Sequence, residues 1–196
     1  MIAVKDRFLK LTPEEYFIWE EQQLLRHEYL NGEVYAMSGG TQNHGRIASN
    51  IIFILKGHLR GSGCQVGNSD CRVNIFETKD YVYPDVSVTC DDRDRTAIQA
   101  IQYPCLIVEV LSESIASYDR GDKFRMYRRN PSLQDYVLVD AEKIAIDSYC
   151  KNDRGNWEIF NYQSGDNINL QSIGLSFPIE SVYDDIIFEK SETKNQ

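Results

Sequence analysis

Glu109 stands inside Cys105-Leu106-Ile107-Val108-Glu109-Val110-Leu111, a run that is otherwise apolar. An ionised carboxylate taken from water into such surroundings costs several kcal/mol unless it is paired or bound to a metal. A salt bridge to an Arg or Lys of an adjacent helix is one explanation. A second carboxylate supplies another. Asp85 follows Pro84 near the start of an extended segment, where proline is tolerated, although Pro-Asp alone is a common turn dipeptide. Two adjacent strands could present Asp85 and Glu109 side by side, and paired carboxylates attract a hard divalent cation. Mg2+ is the natural candidate and Mn2+ a substitute.

Other metal chemistry is not expected. His27, His44 and His58 lack HExxH or Cys/His zinc spacing. The five cysteines contain no CxxC pair, and with no recognisable secretion signal their odd number fits a reduced cytosolic compartment. No apolar run approaches the roughly 20 residues of a membrane span, so no membrane partner is expected. The 30 acidic and 21 basic side chains give a net charge of −9, which argues against broad affinity for nucleic acid. One local exception stands out. Between residues 119 and 129, Arg120, Lys123, Arg125, Arg128 and Arg129 face only Asp119 and Asp122, five minus two, or +3.

These side chains need a scaffold, and 196 residues with 42 % hydrophobic content suffice for one domain. Thr12-Pro13-Glu14-Glu15 forms a capping box that predicts a helix to about Leu25. Asn31-Gly32 predicts a hairpin of His27 to Leu30 with Glu33 to Met37, placing Glu28 on its first arm. Thr41 caps a second helix whose buried stripe is Ile47, Ile51, Ile54, Leu55 and Leu59. His44 sits one turn before Ile47 on that stripe. Such a histidine is usually a satisfied core residue, but with Gln42 it is a candidate contact to the site or to a phosphate.

Gln65 to Asn68, Arg72 to Phe76 and Tyr81 to Cys90 read as a meander, followed by a charged loop from Asp91 to Arg95. In the third piece Val86, Val88 and Cys90 alternate with Asp85, Ser87 and Thr89, so its faces differ in polarity. Leu106 to Leu111 reads as a strand covered on both faces. A helix from about Asp119 to Arg129 stops before Pro131. Tyr136 to Val139, Ile144 to Tyr149 and Trp157 to Tyr162 read as strands, and Ile179 to Phe188 as a short helix. The result is one α/β domain over 1–189 with a mixed sheet, then a flexible polar tail over 190–196. Tyr81, Tyr83, Tyr103 and Tyr127 could stack on bases if exposed, although aromatic residues in strands usually pack in a core.

Several blocks occur in a fixed order: Arg26-His27-Glu28-Tyr29-Leu30-Asn31-Gly32-Glu33-Val34, His44 opening a helix, Pro84-Asp85-Val86, and Pro104 through Glu109-Val110-Leu111-Ser112. Asp119, Lys123 and Tyr127 follow, then Asp135-Tyr136-Val137-Leu138-Val139-Asp140. Through these blocks the chain resembles the PD-(D/E)XK nuclease superfamily and, within it, the bacterial restriction endonuclease domain group. The resemblance implies a restriction-endonuclease-like fold, a mixed central sheet flanked by helices. It implies Asp85, Glu109 and the Val110 carbonyl as metal ligands, with Glu28 as a third acidic group near the metal. Where the superfamily has a lysine two residues after the acidic one, this chain has Leu111. Lys123 on the following helix then takes that part, with Tyr127 one turn later on the same face. Read without the family, Lys123 is a solvated helix lysine.

The implied activity is Mg2+-dependent hydrolysis of DNA phosphodiester bonds, with Arg120, Arg125 and Arg128 as contacts to DNA. A homodimer laying two such helices along one duplex would strengthen binding by effective concentration. A different class of function, a catalytically inactive nuclease-fold binding or regulatory protein, fits the same fold. Hydrolysis of another phosphate ester would suit the same site chemistry.

Overall fold

The computed structural model describes residues 3–37, 39–75, 79–111 and 119–188, with the side chains of 3–9, 119 and 120 excepted. Ser112 and the tail expected over 190–196 lie outside the described residues.

The hairpin at Asn31-Gly32 forms as expected from β2 (His27–Leu30) and β3 (Glu33–Met37). Asn31 at φ 52° and Gly32 at φ 85° supply the two left-handed residues that a type I′ turn requires. β1 (Ala3–Lys10) adds beside β3, while β6 (Asp80–Val82) and β5 (Val73–Ile75) add beside β2. The result is a five-stranded antiparallel sheet, ordered β1-β3-β2-β6-β5. Helix α1 (Pro13–Glu20) packs on it, and the capping box is complete: Thr12 Oγ1 accepts from the Glu15 N–H, and a Glu15 carboxylate oxygen accepts from the Thr12 N–H. Thr12→Ala removes half of that box and is expected to cost about 1 kcal/mol, read as a lowered midpoint in urea unfolding.

The second sheet has six strands in the order β11-β10-β9-β8-β7-β4. Its members are β4 (Gln65–Asn68), β7 (Val86–Thr89), β8 (Pro104–Leu111), β9 (Asp135–Asp140), β10 (Ala145–Lys151) and β11 (Trp157–Gln163). β8 and β9 run parallel and the other pairs antiparallel, so the sheet is mixed as expected. Parallel neighbours need a crossover, and this one carries a π-helical turn (Asp119–Lys123) leading into α3 (Phe124–Tyr127). β12 (Asn167–Leu170) pairs with β13 (Leu175–Pro178), followed by a 3-10 turn at Ile179–Tyr183.

Both faces of β8 are covered. Leu106, Val108 and Val110 pack with Ile47, Ile51 and Leu55 of α2 (Gln42–His58), whereas Ile107 and Leu111 join Phe124, Tyr127, Tyr136 and Leu138 on the other side. Leu30 of β2 and Val82 of β6 belong to that second cluster, so Glu109, on the Ile107 face, points into the space between the two sheets.

The structure departs from the sequence expectations at definable places. Tyr81 to Cys90 is not one strand: the chain leaves the five-stranded sheet after Val82 and enters the six-stranded one at Val86. Pro84, which cannot donate to a ladder, lies at the crossing. α1 ends at Glu20 rather than near Leu25, and Leu24 and Leu25 are exposed, with no surface for another turn to bury. Only Phe124–Tyr127 of the expected helix over 119–129 is α-helical, and the charged loop after Cys90 is a 3-10 helix at Asp92–Thr96. β1, β12 and β13 were not expected.

Cys64 and Cys90 form a disulfide, contrary to the expectation of reduced cysteines. Strand register explains it. β4 pairs with β7 as Gln65↔Thr89, so residues 64 and 90 continue the ladder and face one another with Cα atoms 4.1 Å apart. Among the described residues, no helix is long and apolar enough to cross a membrane.

Candidate active site

Strand register brings the first two acidic residues together. Val86 pairs with Val108, so one further step sets Asp85 opposite Glu109, and directly opposed Cβ atoms lie about 5 Å apart. Asp85 Oδ2 accepts the Val110 N–H at 2.8 Å and lies 3.2 Å from His44 Nε2. Glu28 reaches the same space from β2. Lys123 Nζ is 2.9 Å from Glu109 Oε1 and 3.6 Å from Glu28 Oε1, and Tyr127 donates its hydroxyl to Glu109 Oε1 at 3.0 Å. Glu28, Asp85, Glu109 and Lys123 are 3, 2, 3 and 4 % exposed. Both explanations of Glu109 therefore meet in one place: it has its salt bridge, and it has neighbouring carboxylates.

The local sequence accounts for these positions. Thr41 Oγ1 accepts the His44 N–H at 3.2 Å, starting α2 where its third residue turns inward. Gly40 leaves room for the imidazole: a Cβ there would stand 2.6 Å from His44 Nδ1. Burial alone would push the Asp85 carboxyl up, but the His44 imidazole, the Val110 N–H and the Lys123 charge hold it below the usual carboxylate range. Burial and then the Glu109 charge push the Tyr127 hydroxyl well above its ordinary value, so it serves Glu109 as a protonated donor.

Burial of an acid does not by itself mark a site here. Asp94 is also 3 % exposed, but it accepts from the Thr89 hydroxyl and from the Gln102 and Tyr103 N–H groups, a structural assignment. Glu28 differs, because its buried Oε1 has no hydrogen-bond partner among the described residues. That oxygen and the neighbouring carboxylates are hard donors suited to Mg2+. Among the described residues, no group of three or more His, Cys, Asp or Glu side chains is arranged to hold a metal ion. A cation that takes two carboxylates and fills its other positions with carbonyl, phosphate or water oxygens needs no such group.

The remaining candidates separate. Gln42 is exposed and lines a surface cavity with Arg46 and Asp184. Tyr81, Tyr83 and Tyr127 are buried, and the Tyr103 ring is covered by the Arg93 guanidinium at 3.5 Å. The three buried rings present no open face to a base, and Tyr103 is half-buried with a cation stacked on it. Arg125 and Arg128 are exposed, although Arg125 pairs with Asp122 at 3.0 Å. The side chain of Arg120 lies outside the described residues. The burial of Lys123 removes one charge from the basic surface expected on this segment.

Sequence reasoning missed Glu20. It is buried at the end of α1, accepts the His27 N–H at 3.0 Å and the Tyr83 hydroxyl at 3.1 Å, and meets His27 Nδ1 at 3.1 Å. It thereby ties together the chain segments that carry Glu28 and Asp85. Its flanks, Trp19 and Glu21, read as the polar end of a surface helix, so no local signal points to it.

A mixed sheet whose β8 presents Glu109 opposite Asp85 and against a crossover lysine is the restriction-endonuclease-like class of fold. A solved structure from Anabaena variabilis, described as "a putative nuclease belonging to DUF820", shares the architecture. It aligns with a TM-score of 0.72 over 89 % of this chain and 98 % of that one, at 15 % identity. The model of the Uma2 family, "Putative restriction endonuclease", matches residues 13–180, and the chain belongs to that family. Two Synechocystis proteins, both described as uncharacterized, are relatives. One, slr1290, is 52 % identical over 181 residues, covering 92 % of this chain and 95 % of its own length. The other, sll1609, is 35 % identical over 149 residues, covering 75 % and 84 % respectively.

Proposed function

We propose that this protein is a Mg2+-dependent DNA endonuclease that hydrolyses phosphodiester bonds at the cluster of Glu28, Asp85, Glu109 and Lys123. The observation that carries the reading is that buried Glu28 and Glu109, from two different sheets, meet the Lys123 ammonium, with buried Asp85 set opposite Glu109. Asp85, Glu109 and the Val110 carbonyl would hold the cation, with Glu28 at its water shell. When bound, Mg2+ neutralises phosphate charge and lowers the pKa of a bound water. Lys123 orients the attacking water and stabilises the negative charge that grows on the phosphoryl oxygens. Tyr127 fixes the Glu109 carboxylate and the Val110 N–H fixes that of Asp85, with His44 Nε2 3.2 Å from the same oxygen, so the carboxylates are preorganised.

The test is incubation of the purified protein with linear, supercoiled and single-stranded DNA in Mg2+ or Mn2+, against the same mixtures in EDTA. Nicks or breaks that require the cation support the reading. A protein that binds the cation but cuts none of these substrates supports the alternative, an inactive nuclease-fold binding protein. The net charge of −9 favours that alternative.

DNA would be met by the exposed arginines of the 119–129 segment, and a second copy along the duplex would add to a weak single contact. Arg125→Glu with Arg128→Glu is expected to weaken DNA binding and to reduce the slope of log K against log salt by about 2. The melting temperature should hold, because both side chains are exposed. Fluorescence anisotropy across a salt series reads the first effect and thermal melting the second.

A further inference from the structure

The Cys64–Cys90 disulfide does not sit in a sealed interior. Cys64 lines an open cavity of about 750 Å³ whose walls also present Lys56, Arg60, Arg72 and the free thiol of Cys71. Lys56 and Arg60 come from the last turn of α2 and the residues just beyond it, and both are exposed. The Arg72 guanidinium, by contrast, is covered by the Phe17 ring at 4.8 Å and the Tyr16 ring at 5.8 Å, so the exposed cations of the recess are Lys56 and Arg60. The acids on the same wall are engaged: Asp70 pairs with Arg26 at 3.3 Å, and Asp94 is saturated as described above. The cavity is therefore a cationic recess with the disulfide-bonded Cys64 in its lining.

On the far side of that disulfide, the Cys105 thiol donates to Cys90 Sγ at 3.9 Å and to the Val88 carbonyl at 3.4 Å. Burial pushes the Cys105 thiol up to about 11, so at neutral pH it is an S–H donor rather than a competing nucleophile. The two sulfurs of the disulfide thus differ in kind. Cys64 is half-buried and lines the cationic recess, whereas Cys90 is exposed outside it and lies beside a Cys105 proton that it shares with the Val88 carbonyl.

We propose that Cys64 is a site of reversible S-thiolation by a low-molecular-weight thiol that carries carboxylates. The incoming thiolate places its electron pair on Cys64 Sγ and forms a new S–S bond. The Cys64–Cys90 bond breaks, and its electron pair leaves on Cys90 Sγ. Cys90 is reduced to a thiolate, held by the Cys105 S–H, and takes a proton from solvent to balance the one lost by the ligand thiol. The ligand sulfur is oxidised to the mixed disulfide, so no further oxidant is needed. Attack of Cys90 on the mixed disulfide reverses the step and expels the ligand. Lys56 and Arg60 supply the selectivity by holding the ligand carboxylates and raising the local concentration of an anionic thiol. The inference is independent of the nuclease reading, because these residues lie outside the carboxylate cluster.

The test uses the full chain and two probes, glutathione for the anionic thiol and 2-mercaptoethanol for an uncharged one. Adduct formation is followed by intact mass, and its position by peptide mapping. Glutathione is expected on Cys64. Lys56→Glu with Arg60→Glu should slow glutathione addition about tenfold while leaving 2-mercaptoethanol within about twofold. Raising the salt on the parent protein should slow glutathione, with its added carboxylates, more than 2-mercaptoethanol, whose attacking thiolate carries a single charge, and this keeps the test decisive if the charge-reversed protein folds poorly. Glutathione found only on Cys90 or Cys71 overturns the proposal. So does a chain with five titratable thiols after oxidative refolding, or a salt response shared equally by both probes.

Discussion

Lys123→Ala is expected to leave DNA binding largely intact and to lower cleavage by roughly 1,000-fold, the range seen when a positioned proton-transfer or charge-stabilising group is lost. The same change should be felt by the fold. The ammonium lies 2.9 Å from Glu109 and 3.6 Å from Glu28, all three groups buried, and removing one partner of a buried pair costs about 3–5 kcal/mol. In EDTA that corresponds to a melting temperature lowered by roughly 6–20 °C for a chain of this size. Lys123→Met separates charge from packing, because it keeps most of the aliphatic stem and should still lose both activity and stability. A Lys123→Ala protein that cuts DNA as fast as the parent in Mg2+ or Mn2+ would exclude the helix lysine from the reaction. Melting unchanged in EDTA would mean that the ion pairs contribute nothing to the fold.

A divalent cation should raise the stability of the parent and not that of a protein carrying Asp85→Ala and Glu109→Ala. Anything that binds only the folded state stabilises it by mass action, about 2.7 kcal/mol at a hundred times the dissociation constant, or roughly 5–11 °C in the melting temperature. The variant discards Glu109 of β8 and, opposite it, Asp85 just before β7, along with the acceptor for the Val110 N–H. Melting curves in EDTA, then in rising Mg2+ or Mn2+ at constant ionic strength, read the difference. An equal rise in both proteins would place the stabilising cation elsewhere on this acidic chain.

The strands and helices nearest the site were the most legible in the sequence, because each rests on a strong local signal. Asn31-Gly32 dictates the hairpin that carries Glu28, Thr41 dictates the helix start that aims His44, and the apolar run of β8 announces a strand with both faces covered. Glu109 was conspicuous because a charge in such a run demands a partner. Lys123 had no such mark. Among Arg120, Asp122, Arg125 and Arg128 it reads as surface, and only the resemblance to a nuclease family singled it out. β12 and β13 escaped because four residues are too few for their alternation to stand out, and β1 because Lys5-Asp6-Arg7 interrupts its apolar residues. The division of Tyr81 to Cys90 between two sheets, and the disulfide at the end of β4 and β7, depend on long-range pairing that no local pattern encodes.

The acidic residues are supplied by different layers: Glu28 by the five-stranded sheet, Glu109 by the six-stranded one, and Asp85 by the link that passes between them at Pro84. The thickness of the apolar filling between those layers therefore sets the jaw width of the site, as a shim sets the gap of a vice. Leu30, Val82, Ile107 and Leu138 are the shim. Trimming a methylene from any of them is expected to alter the reach between the carboxylates, so the tolerance of this centre is machined in hydrocarbon that takes no part in its chemistry.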